Sequence, residues 1–144
     1  MYNSGKELLD KCIELSLPIS EIVLLDEIKN TEVSRNTILS KLEQILEIME
    51  NSTSYCIEND IKTLGRIIGG EAKRLNSYIK TKKTICGESV NKAMMRALSC
   101  AQYNAAMGKI CAAPTAGSSG IIPASIITAG EILNCSKDQI IRGL

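Results

Sequence analysis

Tyr103–Pro123 reads YNAAMGKICAAPTAGSSGIIP. It runs from the end of an Ala- and Met-rich helix, through a loop of small residues, into a second helical start. Pro114, Thr115, Ala116, Gly117, Ser118, Ser119 and Gly120 crowd the loop with groups that let bare backbone approach a ligand. Backbone N–H groups on such a loop, followed by a helix N-terminus, suit an anion such as a carboxylate or phosphate. The fold reading follows from the flanks. Apolar residues recur at helical spacing on both sides, so the stretch is a small-residue loop between two core helices.

Working outward, the same period holds along most of the chain. Leu8, Leu9, Cys12, Ile13 and Leu15 mark a first helix from about Gly5 to Leu17. Pro18 ends it, and Ser20 is placed to cap the next, which carries Ile22, Val23, Leu25 and Ile28. A third begins near Ser34, with Ile38, Leu42, Ile45 and Met49 on one stripe. Turn and breaker residues gather between Asn51 and Gly70, from Ser52, Thr53 and Ser54 to the Gly69-Gly70 pair. Helices follow over Glu71–Thr81 and Glu88–Met107, the latter with Val90, Met94, Ala97, Leu98, Ala101 and Ala105 as its apolar face. Beyond the loop come a helix over Ile121–Leu133, with Pro123 expected in its first turn, and a last segment from Ser136. No segment alternates like a strand for long. The expected fold is all-α, a multi-helix bundle, divided into an N-terminal helical unit (1–52), a hinge or irregular connection (53–69) and a core segment (70–144).

Composition narrows the function classes. Seventeen basic and sixteen acidic residues leave a net charge near +1, with no electrostatic footprint for nucleic acid or an anionic membrane. No apolar run approaches the roughly 18 residues of a membrane helix, and the N-terminus MYNSGKELLDK lacks a signal peptide's apolar centre. A cytoplasmic location is therefore expected. The chain has no His, which rules out imidazole catalysis from its own residues, and no Phe or Trp for base stacking. Six cysteines, at 12, 56, 86, 100, 111 and 135, show no zinc-finger or ferredoxin spacing. They read as small buried apolar residues, Cys12 and Cys100 best of all.

The loop also carries a resemblance. NAAMGKICAAPTAGSSGIIPA, Asn104–Ala124, resembles the segment that opens the catalytic core of the alpha chain of bacterial iron–sulfur-dependent L-serine dehydratases. SLPISEIVLLDEI, GGEAKRLNSYIKTKKTICGESVNKAMMRA and NCSKDQIIRGL resemble the family's flanking segments. The resemblance implies a lyase converting L-serine to pyruvate and ammonia, with a [4Fe–4S] cluster held by three cysteines and its open iron acting on the substrate hydroxyl. It implies L-serine and a dehydratase beta chain as partners. The family's cluster cysteines lie in a GCQ-type sequence and a later CDPVAG…PC stretch, neither of which occurs here. The expectation is therefore the N-terminal half of an alpha chain, lacking its C-terminal half, whose own cysteines, Cys111 included, are not metal ligands.

Thr115, Gly117, Ser118, Ser119 and Asn104 are the candidate substrate-binding residues; the catalytic base is not assigned. The alternative for the loop is a tight helix connection in which Ser119 caps the next helix, and for Asn104 a helix C-terminal cap. Lys73 reads either as a carboxylate partner or as an exposed helix lysine, and Lys109 and Arg96 as surface charges. At the level of function, the alternative is a non-catalytic helical module that docks on the missing half or a beta chain. A pyridoxal-phosphate loop in GSSG would need an α/β fold, which the periodicity opposes.

Overall fold

A computed structural model describes residues 2–115 and 117–144; Met1 and Ala116, the second inside the expected loop, lie outside the described residues. Among those residues there are seven helices and no strand: α1 (Gly5–Leu15), α2 (Ile19–Thr31), α3 (Arg35–Glu58), α4 (Glu71–Thr81), α5 (Gly87–Ala105), α6 (Ser118–Ile132) and α7 (Lys137–Ile141). The all-α reading holds. None of these helices is long and apolar enough to cross a membrane.

Helix ends follow local chemistry. Ser4, Ser34 and Ser136 cap α1, α3 and α7, each accepting a backbone N–H three residues on. The expected cap of α2 moves. Pro18, at φ −69° and ψ 159°, takes the N-cap position without a side-chain bond, and Ser20 falls inside the first turn. Helix α3 runs past the expected break. The Thr53 hydroxyl bonds the Met49 carbonyl at 2.8 Å and the Ser54 hydroxyl bonds that of Glu50 at 2.7 Å, so these polar side chains are satisfied within the helix. The irregular connection is thereby shortened to residues 59–70. It is tied down by Leu64 N–H to the Ala105 carbonyl (3.1 Å) and by a Lys73–Asp60 ion pair (2.8 Å).

The apolar core lies where α3, α6 and α7 meet, around Leu46, Met49, Ile127 and Ile141. Helix α5 joins this core in an unexpected orientation. Its buried residues are Asn91, Ser99, Cys100 and Gln102, while Val90, Met94 and Ala101 of the expected apolar face are exposed. The inward face is polar because it is bonded to α3 and α4. Cys56 N–H donates to the Ser99 hydroxyl (3.0 Å), which donates to the Ser52 carbonyl (3.1 Å). Cys56 and Ser52 are the i and i−4 partners that a regular helix joins directly. The Ser99 hydroxyl thus bonds both of these backbone groups of α3. Small residues on both sides, Ser52, Cys56, Ser99 and Cys100, permit that approach.

At the other end of the bundle, Glu21 of α2 receives Arg35 of α3 through two bonds of 2.8 Å and also Arg142 just beyond α7. The hydrogen bonds from Arg35, then Arg142, lower its pKa from 4.5 to about 2.

Two outcomes test these seams. Replacing Ser99 by Val places methyls where the hydroxyl bridges α3 and should cost about 1–3 kcal/mol by overpacking. Ser99→Ala removes the two bonds to α3 without adding bulk and should cost only ~1 kcal/mol; urea unfolding of both variants gives the comparison. For Glu21 the folded pKa is depressed, so its contribution is present above 4.5 and is lost as pH falls towards 2. The melting-temperature gap between the wild type and Glu21→Gln should be full near pH 6 and shrink between pH ~5 and ~2.

Candidate functional site

The loop begins at the end of α5, which closes in a Schellman motif. Gly108 N–H bonds the Tyr103 carbonyl (2.8 Å) and Met107 N–H that of Asn104 (2.9 Å), with Met107 in the left-handed region at φ 67°. Gly108 is required sterically, since a Cβ there would lie 2.4 Å from the Tyr103 ring. That ring is held by Tyr55, centroids 5.0 Å apart, and its hydroxyl accepts from Asn51 at 3.1 Å. Further along, the Cys111 thiol reaches the Ile45 carbonyl at 3.5 Å.

Thr115 and Ser118 bond each other reciprocally. Thr115 N–H donates to Ser118 Oγ (3.0 Å), Ser118 N–H donates to Thr115 Oγ1 (3.2 Å), and Ser118 Oγ donates to the Thr115 carbonyl (2.8 Å). These reciprocal bonds shape the turn that leads into α6, whose N-cap, Gly117, has no side-chain cap bond. The α6 N-terminus lies three residues earlier than its apolar period indicates. Pro123 consequently falls in the second turn. It has no N–H to give the Ser119 carbonyl, and the Cys100 thiol donates there instead, at 3.4 Å.

Asn104, Gly117 and Ser119 share one hollow of about 420 Å³ with Met94, Ala97, Ala101, Ile110, Gly120 and Ile121. That size is in the range of small-molecule sites. Thr115 and Ser118 stand at its margin in sequence but are not among its lining residues. So three of the five candidates converge, and the other two shape the loop. The apolar walls from α5 were assigned to the core by sequence. Their outward placement had one legible sign: the polar Asn91, Ser99 and Gln102 that claim the inner face instead.

The charges sort differently from expectation in one case. Arg96 is not a surface charge: its side chain is 14 % exposed and bonds Glu131 of α6. Lys73 pairs with Asp60 at the surface. Glu71, at the first position of α4, accepts the Gly69 N–H at 2.8 Å and also bonds buried Gln102; the Gly69 bond foremost holds it below the usual carboxylate range. Burial pushes the Cys56, Cys100 and Cys111 thiols up, disfavouring thiolate.

Residues 14–144 match the family model described as "Serine dehydratase alpha chain". The chain belongs to that family. It is 39 % identical over 143 residues to the L-serine dehydratase alpha chain of Peptoniphilus asaccharolyticus, covering 99 % of this chain and 49 % of the relative. It is 33 % identical over 144 residues to a probable L-serine dehydratase alpha chain of Bacillus subtilis, covering 100 % and 48 %. A Haemophilus influenzae L-serine dehydratase is 28 % identical over 149 residues, covering 98 % and 31 %. The chain thus spans about half the length of the curated alpha chains it matches. No solved structure matches it significantly.

A [4Fe–4S] cluster needs converging thiolates. Among the described residues no three Cys, His, Asp or Glu side chains converge, and the thiols nearest the hollow are biased towards the neutral form. The side chains of this serine dehydratase alpha-chain segment do not fit such a group, and no step is derived through it. Anaerobic treatment of the 144-residue chain with iron and sulfide should give no stoichiometric cluster absorbance. A cluster that forms and is abolished by Cys111→Ser would show that this assignment is wrong.

Proposed function

We propose that this chain is the substrate-side part of an L-serine dehydratase, a lyase forming pyruvate and ammonia from L-serine, and that its hollow receives the serine. The observation that carries the reading is the juxtaposition of Asn104, Gly117 and Ser119 in one hollow at the α6 N-terminus. A helix N-terminus offers N–H donors and the positive end of a dipole to the substrate carboxylate. Asn104 supplies an amide from the opposite helix, α5, able to bond a carboxylate or hydroxyl oxygen. Thr115 and Ser118 hold the loop in shape through their reciprocal bonds, so their part is to position the backbone donors. The names of the relatives support serine as substrate. The iron–sulfur cluster, the catalytic base and a beta chain belong to the rest of the assembly on this reading, and the setting is cytoplasmic.

The test is an assembly of this chain with the remaining part of an alpha chain and a beta chain, assayed for pyruvate at limiting L-serine. Asn104→Ala should lower kcat/KM by roughly 5- to 150-fold, the equivalent of about 1–3 kcal/mol for a polar substrate group left unpaired. Thr115→Val should lower turnover through the loop and also cost about 0.5–1.5 kcal/mol of stability as a lost hydrogen bond. An assembled complex that forms no pyruvate from L-serine would overturn the reading.

A further inference from the structure

Helix α5 is inside out for a helix of an isolated bundle. Val90, Met94, Ala97 and Ala101 fall at helical spacing on one stripe, and Val90 and Met94 are 51 % and 45 % exposed. The opposite face, with Asn91, Ser99 and Gln102, is buried and bonded. Reversing the helix would strand those polar groups, so the orientation is fixed and the apolar stripe must face outward. Helix α6 continues the surface with Ile121, 59 % exposed, and carries a single charged residue, Glu131, in fifteen. A helix apolar on nearly all sides is normally enclosed by protein. The two helices therefore present one contiguous, nearly uncharged platform, and the hollow opens within it.

We infer that this α5–α6 platform is the seat of the other half of a dehydratase alpha chain, which closes the hollow when it docks. The inference rests on the serine dehydratase reading above and names the partner of that same site. One observation selects this occupant over a second copy. The relatives carry about as much sequence again outside the matched stretch, 51 % of the Peptoniphilus chain, since 49 % is covered. The platform also borders the candidate substrate residues Asn104 and Ser119, so whatever covers it completes the site. Small residues along the platform, Ala97, Ala101 and Gly120, let an apolar helix approach closely.

The test co-expresses this chain with the part of the Peptoniphilus alpha chain that lies outside the 143-residue match, made as a separate polypeptide. Association is read by light scattering on size-exclusion chromatography and titrated by interferometry. A one-to-one complex is expected, at least tenfold weaker with Val90→Glu, and unchanged by Ile13→Glu on the exposed face of α1. Circular dichroism of both variants should match the wild type; if Val90→Glu loses helix, Val90→Gln takes its place. No complex, a complex indifferent to both Val90 variants, or a homodimer of this chain that Val90→Glu dissolves would each overturn the inference. Because association is read apart from turnover, the two readings fail separately. A Val90-dependent complex without pyruvate formation sinks only the serine reading, and an active assembly indifferent to Val90 sinks only this one.

Discussion

The bridge made by Ser99 between Cys56 N–H and the Ser52 carbonyl governs how the rest of this chain is arranged. A side-chain oxygen can bond another helix's backbone only if the two helices come close, and the buried Ser52, Cys56 and Cys100 around it provide that room. Once α5 is pinned by Ser99, its rotation is set. Asn91 and Gln102 then point to the Thr84–Gly87 turn and to Glu71, and the apolar stripe turns away from α3 and α4. The same rotation aims Cys100 at the Ser119 carbonyl, and the Ala97 carbonyl lies beside Gly120, which seats the first turn of α6 on the middle of α5.

The site depends on that seating. The loop between α5 and α6 is clamped near both ends. It is held at one end by the Schellman closure on Tyr103 and at the other by the Thr115–Ser118 bonds. Between these clamps Cys111 leans on α3 through the Ile45 carbonyl. That arrangement suits a loop whose backbone donors must be placed before a ligand arrives, because preorganised dipoles need no reorganisation when charge is bound.

Much of this was legible in the sequence, and the misses have physical causes. Helical period and Ser caps placed most of the helices, because both are local effects. The limit of α3 was missed because Ser52, Thr53 and Ser54 are breakers only when their hydroxyls compete with the helix; here they bond carbonyls three and four residues back. The period locates α5 and its apolar face, yet much of that face turns outward. Periodicity reports which residues share a face and says nothing of which face turns inward when polar side chains have partners across the bundle. The loop's small residues pointed to a ligand site, yet the division of labour within it, Asn104 and Ser119 on the hollow and Thr115 and Ser118 on the turn, depends on where α6 starts. Arg96 looked like any helix arginine until α6 brought Glu131 beside it.

Pro123 gives the packed interface an internal clock. By removing one donor from α6 it makes the Ser119 carbonyl a receptor for the Cys100 thiol, a group that is 1 % exposed and pushed towards its neutral, unreactive form by burial. Alkylating reagents attack thiolate, so they meet Cys100 only when α5 and α6 part, whereas exposed Cys86 at the start of α5 is open throughout. The ratio of the two labelling rates is then a measure of how often this seam opens, and of how firmly any partner seated over it holds it shut.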